Sequence, residues 1–172
     1  MKVSDFDYSL PPELIAQEPT AQRDASKLLV LDGRDSNIRH LGFADFPALL
    51  NSKDLLVFNN TRVIPARLWG KKESGGKVEI LVERIIGDDC VLSHIRSSRP
   101  TKIGTILNLD VDQNGSASEF QLSVESKHAG LFLLKTITDV SFASIIELIG
   151  HVPLPPYISR SDKTVDVDRY QT

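Results

Sequence analysis

The segment KVEILVE, residues 77–83, carries the clearest structural pattern in the chain. Its apolar residues Val78, Ile80 and Val82 occupy every second position, and glutamates fill two of the positions around them. Successive side chains of a β-strand point to opposite faces of a sheet. The segment therefore predicts a strand with one apolar face and one mostly polar face.

Similar short segments flank this strand on both sides, about ten residues apart. Turn sequences separate them: SGG at 74–76, GDD at 87–89, NG at 114–115 and AG at 129–130. Six strands are predicted, at 66–71, 77–86, 90–97, 105–109, 119–125 and 131–136. Regularly spaced short strands indicate a small antiparallel β-barrel, and closing the sheet removes edges that would promote aggregation.

The flanking sequence is mixed. Before the barrel, the pattern predicts a short helix at 10–17, two pairing strands at 28–31 and 37–41, a short helix at 43–50 and a buried strand at 54–58. After it, Ser141 is a candidate N-cap for a helix over 142–149, with Gly150 as the stop. The proline-rich stretch 151–157 is expected to be stiff and extended.

Composition limits the function classes. The chain has 172 residues, 41% of them hydrophobic, and one cysteine, which excludes a disulfide framework and a cysteine-based zinc finger. No apolar run reaches the ~20 residues of a membrane span, and the N-terminus lacks the apolar core of a secretory signal. A soluble, cytoplasmic protein without a membrane partner is expected.

The net charge of −3 hides an uneven distribution. Residues 62–102 contain nine basic and five acidic side chains, a balance of +4, between two acidic flanks. Local charge governs contact with phosphates, so nucleic acid stays open as a partner. The alternative is a solvated β-surface with a chance excess of cations. The basic loops at 71–77 and 96–102 contain no aromatic residue, so base stacking is not indicated.

The best candidate site is FNNTRVIPAR, residues 58–67, which follows the strand predicted at 54–58. Arginine forks suit carboxylate or phosphate, and asparagine offers both a donor and an acceptor. An interdomain turn with surface arginines explains the same residues equally well. His151 follows a helix end, where a dipole contact is the simpler role than general-base catalysis. The other histidines have no metal-ligand spacing, and no metal is expected.

Five segments together resemble one family, the S-adenosylmethionine:tRNA ribosyltransferase-isomerases of queuosine biosynthesis. They are DFDYSLPPELIAQEP (5–19), FNNTRVIPARL (58–68), SGGKVEILVER (74–84), GHVPLPPYI (150–158) and DRYQT (168–172). The resemblance covers essentially the whole chain in order. Lys27, where an arginine is expected, and Val152 are small departures. The family's second half, with motifs of the type PTAGLHF and GTTS, is absent, so the resemblance extends only to an N-terminal half.

The resemblance implies transfer and isomerisation of the ribosyl group of S-adenosylmethionine onto 7-aminomethyl-7-deazaguanine at the tRNA wobble position. The product is epoxyqueuosine, with release of adenine and methionine. It also implies an α+β, mainly β fold, with the barrel domain (63–149) inserted into an incomplete mixed α/β domain (1–62 and 150–172). S-adenosylmethionine is then a co-substrate, no metal is needed, and a monomer is expected.

Matching the motifs residue by residue places substrate contacts on thirteen positions, while the general base stays unnamed. The basic loops supply six further candidate contacts, to tRNA. The substrate set is Asn59, Asn60, Thr61, Arg62, Arg67, Gln17, Arg23, Ser26, His151, Pro155, Tyr157, Tyr170 and Gln171. The tRNA set, taken from the basic loops, is Lys71, Lys72, Lys77, Arg96, Arg99 and Lys102. The chain alone is expected to be inactive. The alternatives are a non-catalytic barrel that binds RNA or a protein, and a structural fragment that binds neither substrate.

Overall fold

The computed structural model describes residues 1–34 and 36–171. They form two compact units. Unit 1 comprises Met1–Asn60 and Pro155–Ser161, and unit 2 comprises Thr61–Leu154 together with the chain from Asp162 onwards. The predicted insertion of residues 63–149 into a larger mixed domain remains a prediction.

Unit 2 contains a closed six-stranded barrel in which every neighbouring pair of strands is antiparallel. Its strands are β3 (Arg67–Lys72), β4 (Lys77–Ile85), β5 (Cys90–Ser97), β6 (Ile106–Asp110), β7 (Ala117–His128) and β8 (Leu131–Thr136). Their order around the barrel is β3-β4-β5-β8-β7-β6, and β6 pairs with β3 to close it. The predicted mainly-β class with an antiparallel barrel is confirmed.

Alternation along each strand builds the interior of the barrel. Leu68, Ile80, Leu109 and Leu122 have no exposed surface and belong to one continuous apolar cluster. The residues between them on β3 and β4 are half-buried or exposed, as the pattern of residues 77–83 predicts. Along each strand, side chains therefore alternate between the apolar core and the outer surface of the barrel.

Helix α1 (Phe142–Ile149) packs onto the same cluster through Phe142, Ile145, Ile146 and Ile149. The Ser141 hydroxyl accepts a hydrogen bond from the Ser144 backbone N–H at 3.2 Å, which confirms the predicted N-cap. A second helix, α2 (Asp166–Arg169), is one turn long.

The turn between β6 and β7 closes around the carboxylate of Asp112. Its Oδ1 accepts hydrogen bonds from the backbone N–H groups of Asn114 at 2.8 Å and Gly115 at 2.9 Å, and its Oδ2 accepts one from the Ser116 hydroxyl at 3.0 Å. The backbone and hydroxyl bonds from Ser116, with those from Asn114 and Gly115, lower the pKa of Asp112. The charged form is the one that the turn selects.

Replacing Asp112 with alanine is expected to lower the melting temperature near neutral pH, with an effect that shrinks in acid. A carboxyl whose pKa falls on folding stabilises the native state above its unfolded pKa, here the ordinary value of 3.8. That contribution disappears as the pH falls through the folded pKa. Thermal unfolding across an acid pH series measures it, with Asp139→Ala as the exposed acidic control. An Asp112→Ala effect of constant size at every pH would contradict this role.

Unit 1 contains a two-stranded antiparallel hairpin, β1 (Lys27–Asp32) and β2 (Asn37–Gly42), with 3₁₀ helices at Val3–Phe6, Pro12–Leu14 and Phe43–Leu49. The helix predicted at 10–17 is therefore reduced to three residues. The strand predicted at 54–58 is wrong, because this segment has no hydrogen-bonded partner strand among the described residues and lies in an irregular, exposed conformation. An apolar run forms a strand only where another strand satisfies its backbone groups.

None of the helices among the described residues combines the length and the apolar character needed to cross a membrane.

Candidate functional site

The candidate segment at 58–67 runs from unit 1 into unit 2. Asn59 and Asn60 are exposed residues at the end of the first part of unit 1, whereas Thr61 and Arg62 are exposed residues at the beginning of unit 2. From Ala66 onwards the chain is buried and enters β3. The exposed part of the segment therefore offers amide, hydroxyl and guanidinium groups on irregular backbone, where side chains are not held by a strand.

Arg67 is held on both sides by groups of its own unit. Its guanidinium Nε lies 3.1 Å from Glu79 Oε1, and its Nη2 donates to the Leu154 carbonyl at 3.1 Å. Its backbone also pairs with His151 in an isolated antiparallel bridge, with N–O distances of 3.1 and 2.8 Å. The structure thus brings together Arg67 and His151, two predicted site residues that are distant in sequence.

His151 contacts an oxygen acceptor with each ring nitrogen. Nδ1 lies 2.8 Å from Asp162 Oδ1, and Nε2 lies 3.1 Å from the Val111 carbonyl oxygen. The other oxygen of Asp162 accepts the Val152 backbone N–H at 3.0 Å. Asp162 thereby fixes both the ring and the start of the proline-rich stretch. Asp162 could not be predicted as part of the site, because nothing in a polar segment indicates a carboxylate whose partner is eleven residues away.

The side-chain amide of Gln171 binds both backbone groups of Val63, as a paired β-strand would. Oε1 accepts the Val63 N–H at 3.0 Å, and Nε2 donates to the Val63 carbonyl at 3.0 Å and to the Val167 carbonyl at 2.7 Å. The amide therefore fixes the backbone beside Arg62. Its neighbour Tyr170 is half-buried.

A second glutamine does the same in unit 1. Gln17 Nε2 donates to the Tyr157 carbonyl at 3.0 Å, and Gln17 Oε1 accepts the Ser159 backbone N–H at 2.8 Å and its hydroxyl at 3.1 Å. Arg160 Nε adds a bond to the Gln17 carbonyl at 2.8 Å. These contacts tie residues 17 and 157–160 together, so predicted site residues from both ends of the chain meet in unit 1.

The remaining predicted residues of unit 1 are exposed or half-buried. Arg23 and Ser26 are exposed, and the Ser26 carbonyl accepts the Phe43 N–H at 2.8 Å. Pro155 is half-buried, and Tyr157 exposes 60% of its surface. A tyrosine this exposed keeps its ring available to a ligand.

Arg67→Ala is expected to lower the free energy of unfolding by about 2 kcal/mol, because it leaves the half-buried Glu79 carboxylate without its cation. Arg62→Ala removes an exposed guanidinium and is expected to change it by less than about 0.5 kcal/mol. Chemical denaturation of both variants measures the difference. Equal effects on stability would contradict the structural role of Arg67.

The six predicted tRNA contacts divide into two classes. The ammonium groups of Lys71 and Lys72 bind other groups of the barrel unit. Lys71 Nζ lies 3.5 Å from Asp110 Oδ1. The buried Lys72 donates from Nζ to the carbonyls of Arg99 at 2.6 Å and Pro100 at 3.3 Å. The other four are exposed and, within the described parts of the chain, have no ion-pair partner. They are Lys77, Arg96, Arg99 and Lys102, which we call the basic set.

The two basic loops meet at one end of the barrel. They line a common open pocket of about 1080 Å³ with Lys72–Gly76 on one side and Ser98–Lys102 on the other. The chain crosses there from β5 to β6, and the Lys72 ammonium holds the crossing segment to β3 through the carbonyls of Arg99 and Pro100. Lys72 thus positions the loop that presents Arg99 and Lys102.

A separate acidic and thiol-containing cluster does not fit nucleophilic catalysis. Lys135 Nζ lies 3.3 Å from Asp89 Oδ2, and hydrogen bonds from Cys90 and Lys135 lower the pKa of Asp89. Burial and the neighbouring Asp89 raise the pKa of the Cys90 thiol. A cysteine nucleophile needs the opposite shift, so this environment does not activate the Cys90 thiol.

The fold and the polar surface define a mainly-β protein whose barrel carries the basic set on its exposed surface. Over residues 3–172, the sequence matches the family described as "Queuosine biosynthesis protein". The chain belongs to this family, as its motifs predict.

A solved structure similar in sequence is that of an S-adenosylmethionine tRNA ribosyltransferase from Thermotoga maritima, with 37% identity and a TM-score of 0.35. The match covers 77% of this chain and 44% of that one, so the matched part spans less than half the length of this relative.

Proposed function

We propose that this chain is part of an S-adenosylmethionine:tRNA ribosyltransferase-isomerase. The complete enzyme transfers and isomerises the ribosyl group of S-adenosylmethionine onto 7-aminomethyl-7-deazaguanine at the wobble position of tRNA. The products are epoxyqueuosine in the tRNA, adenine and methionine. Membership of the queuosine biosynthesis family over residues 3–172 carries the proposal, and the 37% identical Thermotoga maritima ribosyltransferase is consistent with it.

The chemistry follows from the charge on sulfur. The sulfonium acidifies the neighbouring C5′ hydrogens of the ribose, so a general base removes one of them. The resulting carbanion opens the sugar and expels adenine. The aminomethyl nitrogen of the deazaguanine then forms a bond to the sugar, and loss of methionine closes the epoxide. Such a site needs a positioned base, dipoles for the departing adenine and exclusion of water.

Within this scheme, the predicted substrate residues take two roles. The exposed polar groups of Asn59, Asn60, Thr61 and Arg62 are proposed to contact the substrate. Arg67, Gln17, His151 and Gln171, whose polar atoms bind other parts of their own units, are proposed to position the backbone around those contacts. Further substrate contacts are proposed for Arg23, Ser26, Pro155 and Tyr157 of unit 1 and for Tyr170 of unit 2.

The basic set of the barrel is proposed to contact the tRNA backbone. Its four cations have no carboxylate partner to displace among the described residues, so binding phosphate does not first break an internal ion pair. Release of counterions from the RNA then drives association. Lys71 and Lys72 are left out of this role, because their ammonium groups already bind Asp110 and the crossing loop.

An adenine-release assay tests the reaction. The substrates are S-adenosylmethionine and tRNA that carries 7-aminomethyl-7-deazaguanine, and the Thermotoga maritima protein serves as the longer reference chain. We expect adenine release from the longer chain and none from the 172-residue chain, because the catalytic site is proposed to need residues from both halves. Comparable turnover by the two chains would overturn the shared site.

Titration of both substrates separates this proposal from the non-catalytic barrel. Binding of tRNA with a steep salt dependence, with no binding of S-adenosylmethionine even in the longer chain, would favour an RNA-binding module. Absence of both interactions would favour a purely structural role.

A further inference from the structure

The outer face of the barrel carries one row of side chains that crosses four strands. In the antiparallel register, Trp69 of β3 lies directly opposite Asp110 of β6 on one side and Glu79 of β4 on the other, and Glu79 lies opposite Arg96 of β5. Directly opposed residues of antiparallel strands point to the same face. The row therefore places an indole between two carboxylates, with a guanidinium at its end.

This row forms the wall of a pocket of about 350 Å³, in the size range of small-ligand sites. Besides the row itself, the pocket is lined by residues that include Lys77, Ser97, Ser98 and Gln113. Trp69 is half-buried and lines this pocket, so its side chain is partly accessible. An aromatic side chain of this kind offers a contact for a planar ring.

The charges around the indole are unequally compensated. Glu79 is 3.1 Å from the Arg67 guanidinium, and the 5%-exposed Asp110 is 3.5 Å from the Lys71 ammonium. Lys77 and Arg96 have no such partner within the part of the chain that the structure describes. The uncompensated charge at the pocket is therefore positive, next to an aromatic face.

The pocket also adjoins the larger pocket at the end of the barrel. Ser98 lines both this pocket and the larger one formed by the two basic loops. Arg99 and Lys102 follow within four residues of Ser98 along the chain. An RNA strand with one nucleotide at Trp69 can thus place its next phosphates near Arg99 and Lys102, the remaining cations of the basic set.

We propose that this pocket binds one unpaired nucleotide of an RNA strand, with its base stacked on Trp69 and its phosphate beside Lys77 and Arg96. The proposal rests on the proposed function for its RNA partner and adds a base contact that the sequence did not indicate. Stacking on an aromatic ring beside cations is the general chemistry of single-strand recognition and tolerates different bases. A base held in a duplex does not present its face to the indole.

The test uses the fluorescence of Trp69, which is the one tryptophan in the chain. The 172-residue protein is titrated with a single-stranded RNA hexamer of uridines, and separately with a short RNA duplex, inorganic tripolyphosphate and uridine monophosphate. We expect saturable quenching with the hexamer and little change with the duplex or tripolyphosphate. Quenching by the mononucleotide with equal affinity would overturn the assignment to an RNA strand.

Substitutions measure how much each side chain contributes to hexamer affinity, which is followed by the fluorescence anisotropy of a labelled hexamer. Trp69→Leu is expected to weaken hexamer binding about tenfold, and Trp69→Phe, which keeps an aromatic ring, to weaken it less. Arg96→Ala is expected to weaken binding more than Arg84→Ala, an exposed cation on β4 that does not line the pocket. Circular dichroism verifies that each variant is folded.

The outcomes separate this inference from the proposed function. Hexamer binding without quenching, unchanged in a folded Trp69→Leu or Trp69→Phe variant, would overturn the nucleotide pocket and leave the basic set intact. Binding of tRNA without binding of the hexamer would do the same. Failure of both RNAs to bind would overturn the pocket together with the proposed RNA contact.

Discussion

Replacing the four residues of the basic set by alanine is expected to reduce the affinity for tRNA about a thousandfold at 0.1 M salt. Each cation that neutralises a phosphate contributes roughly 0.7 to 0.9 to the slope of log affinity against log salt concentration. Four such contacts predict a slope that is shallower by about 3. All four side chains are exposed, so we expect the variant to fold. Filter binding at several salt concentrations measures both quantities.

A charge-matched pair of double variants provides the control. Arg99→Ala with Lys102→Ala removes two members of the basic set, whereas Arg84→Ala with Lys127→Ala removes two exposed cations of unit 2 outside both pockets. The net charge changes equally in the two proteins. If RNA responds only to overall charge, both lose the same affinity, and the assignment of the basic set is wrong.

Gly150→Ala is expected to lower the free energy of unfolding by about 3 kcal/mol or more, because a Cβ at this position would run into the carbonyl oxygens of Ile146 and Pro65. Both are backbone atoms, so relief requires movement of α1 or of the chain that enters β3. The Gly150 N–H also caps α1 by donating to the Ile146 carbonyl at 2.9 Å. Thermal unfolding should show a melting temperature lower by about 10 °C.

The control for this change is Gly87→Ala. A Cβ at Gly87 meets no atom within 4 Å, so this variant is expected to change stability by less than about 1 kcal/mol in either direction. A Gly150→Ala protein as stable as Gly87→Ala would contradict the close approach of α1 and residue 65. The glycine stops the helix where the sequence predicts, but its φ of −76° shows that crowding, and not a left-handed conformation, requires it.

Several elements could be predicted because their causes are local. Short segments at regular spacing between turn sequences located all six barrel strands, and the bounds of β5 and β8 agree with the structure at both ends. Ser141 and the apolar spacing of 142–149 specify α1 in the same way, since both the cap and the apolar face act within a few residues. The strand predicted at 54–58 failed because a strand requires a partner, which no local pattern contains.

Contacts between distant segments could not be predicted. The sequence predicts six strands in a barrel but not their order, in which β5 pairs with β8 and β6 pairs with β3. The pairing of β6 with β3 places Asp110 beside Trp69. The basic loops themselves lack an aromatic residue. Trp69 lies beside their cations Lys77 and Arg96 because the pairing of β3, β4 and β5 brings these residues to one pocket.

Net charge can likewise be read from the sequence, whereas the availability of each cation depends on tertiary contacts. Residues 62–102 are basic in the sequence, and the family motifs of the chain are legible without coordinates. Whether a given cation is available depends on its neighbours in space: Lys72 is buried against two carbonyls, Lys71 binds Asp110, and Lys77 remains exposed. Residue type and periodicity act over a few positions and specify strands, caps and net charge. Pairing, burial and ion-pair commitment arise between segments far apart in the chain, so they are established only when the barrel closes.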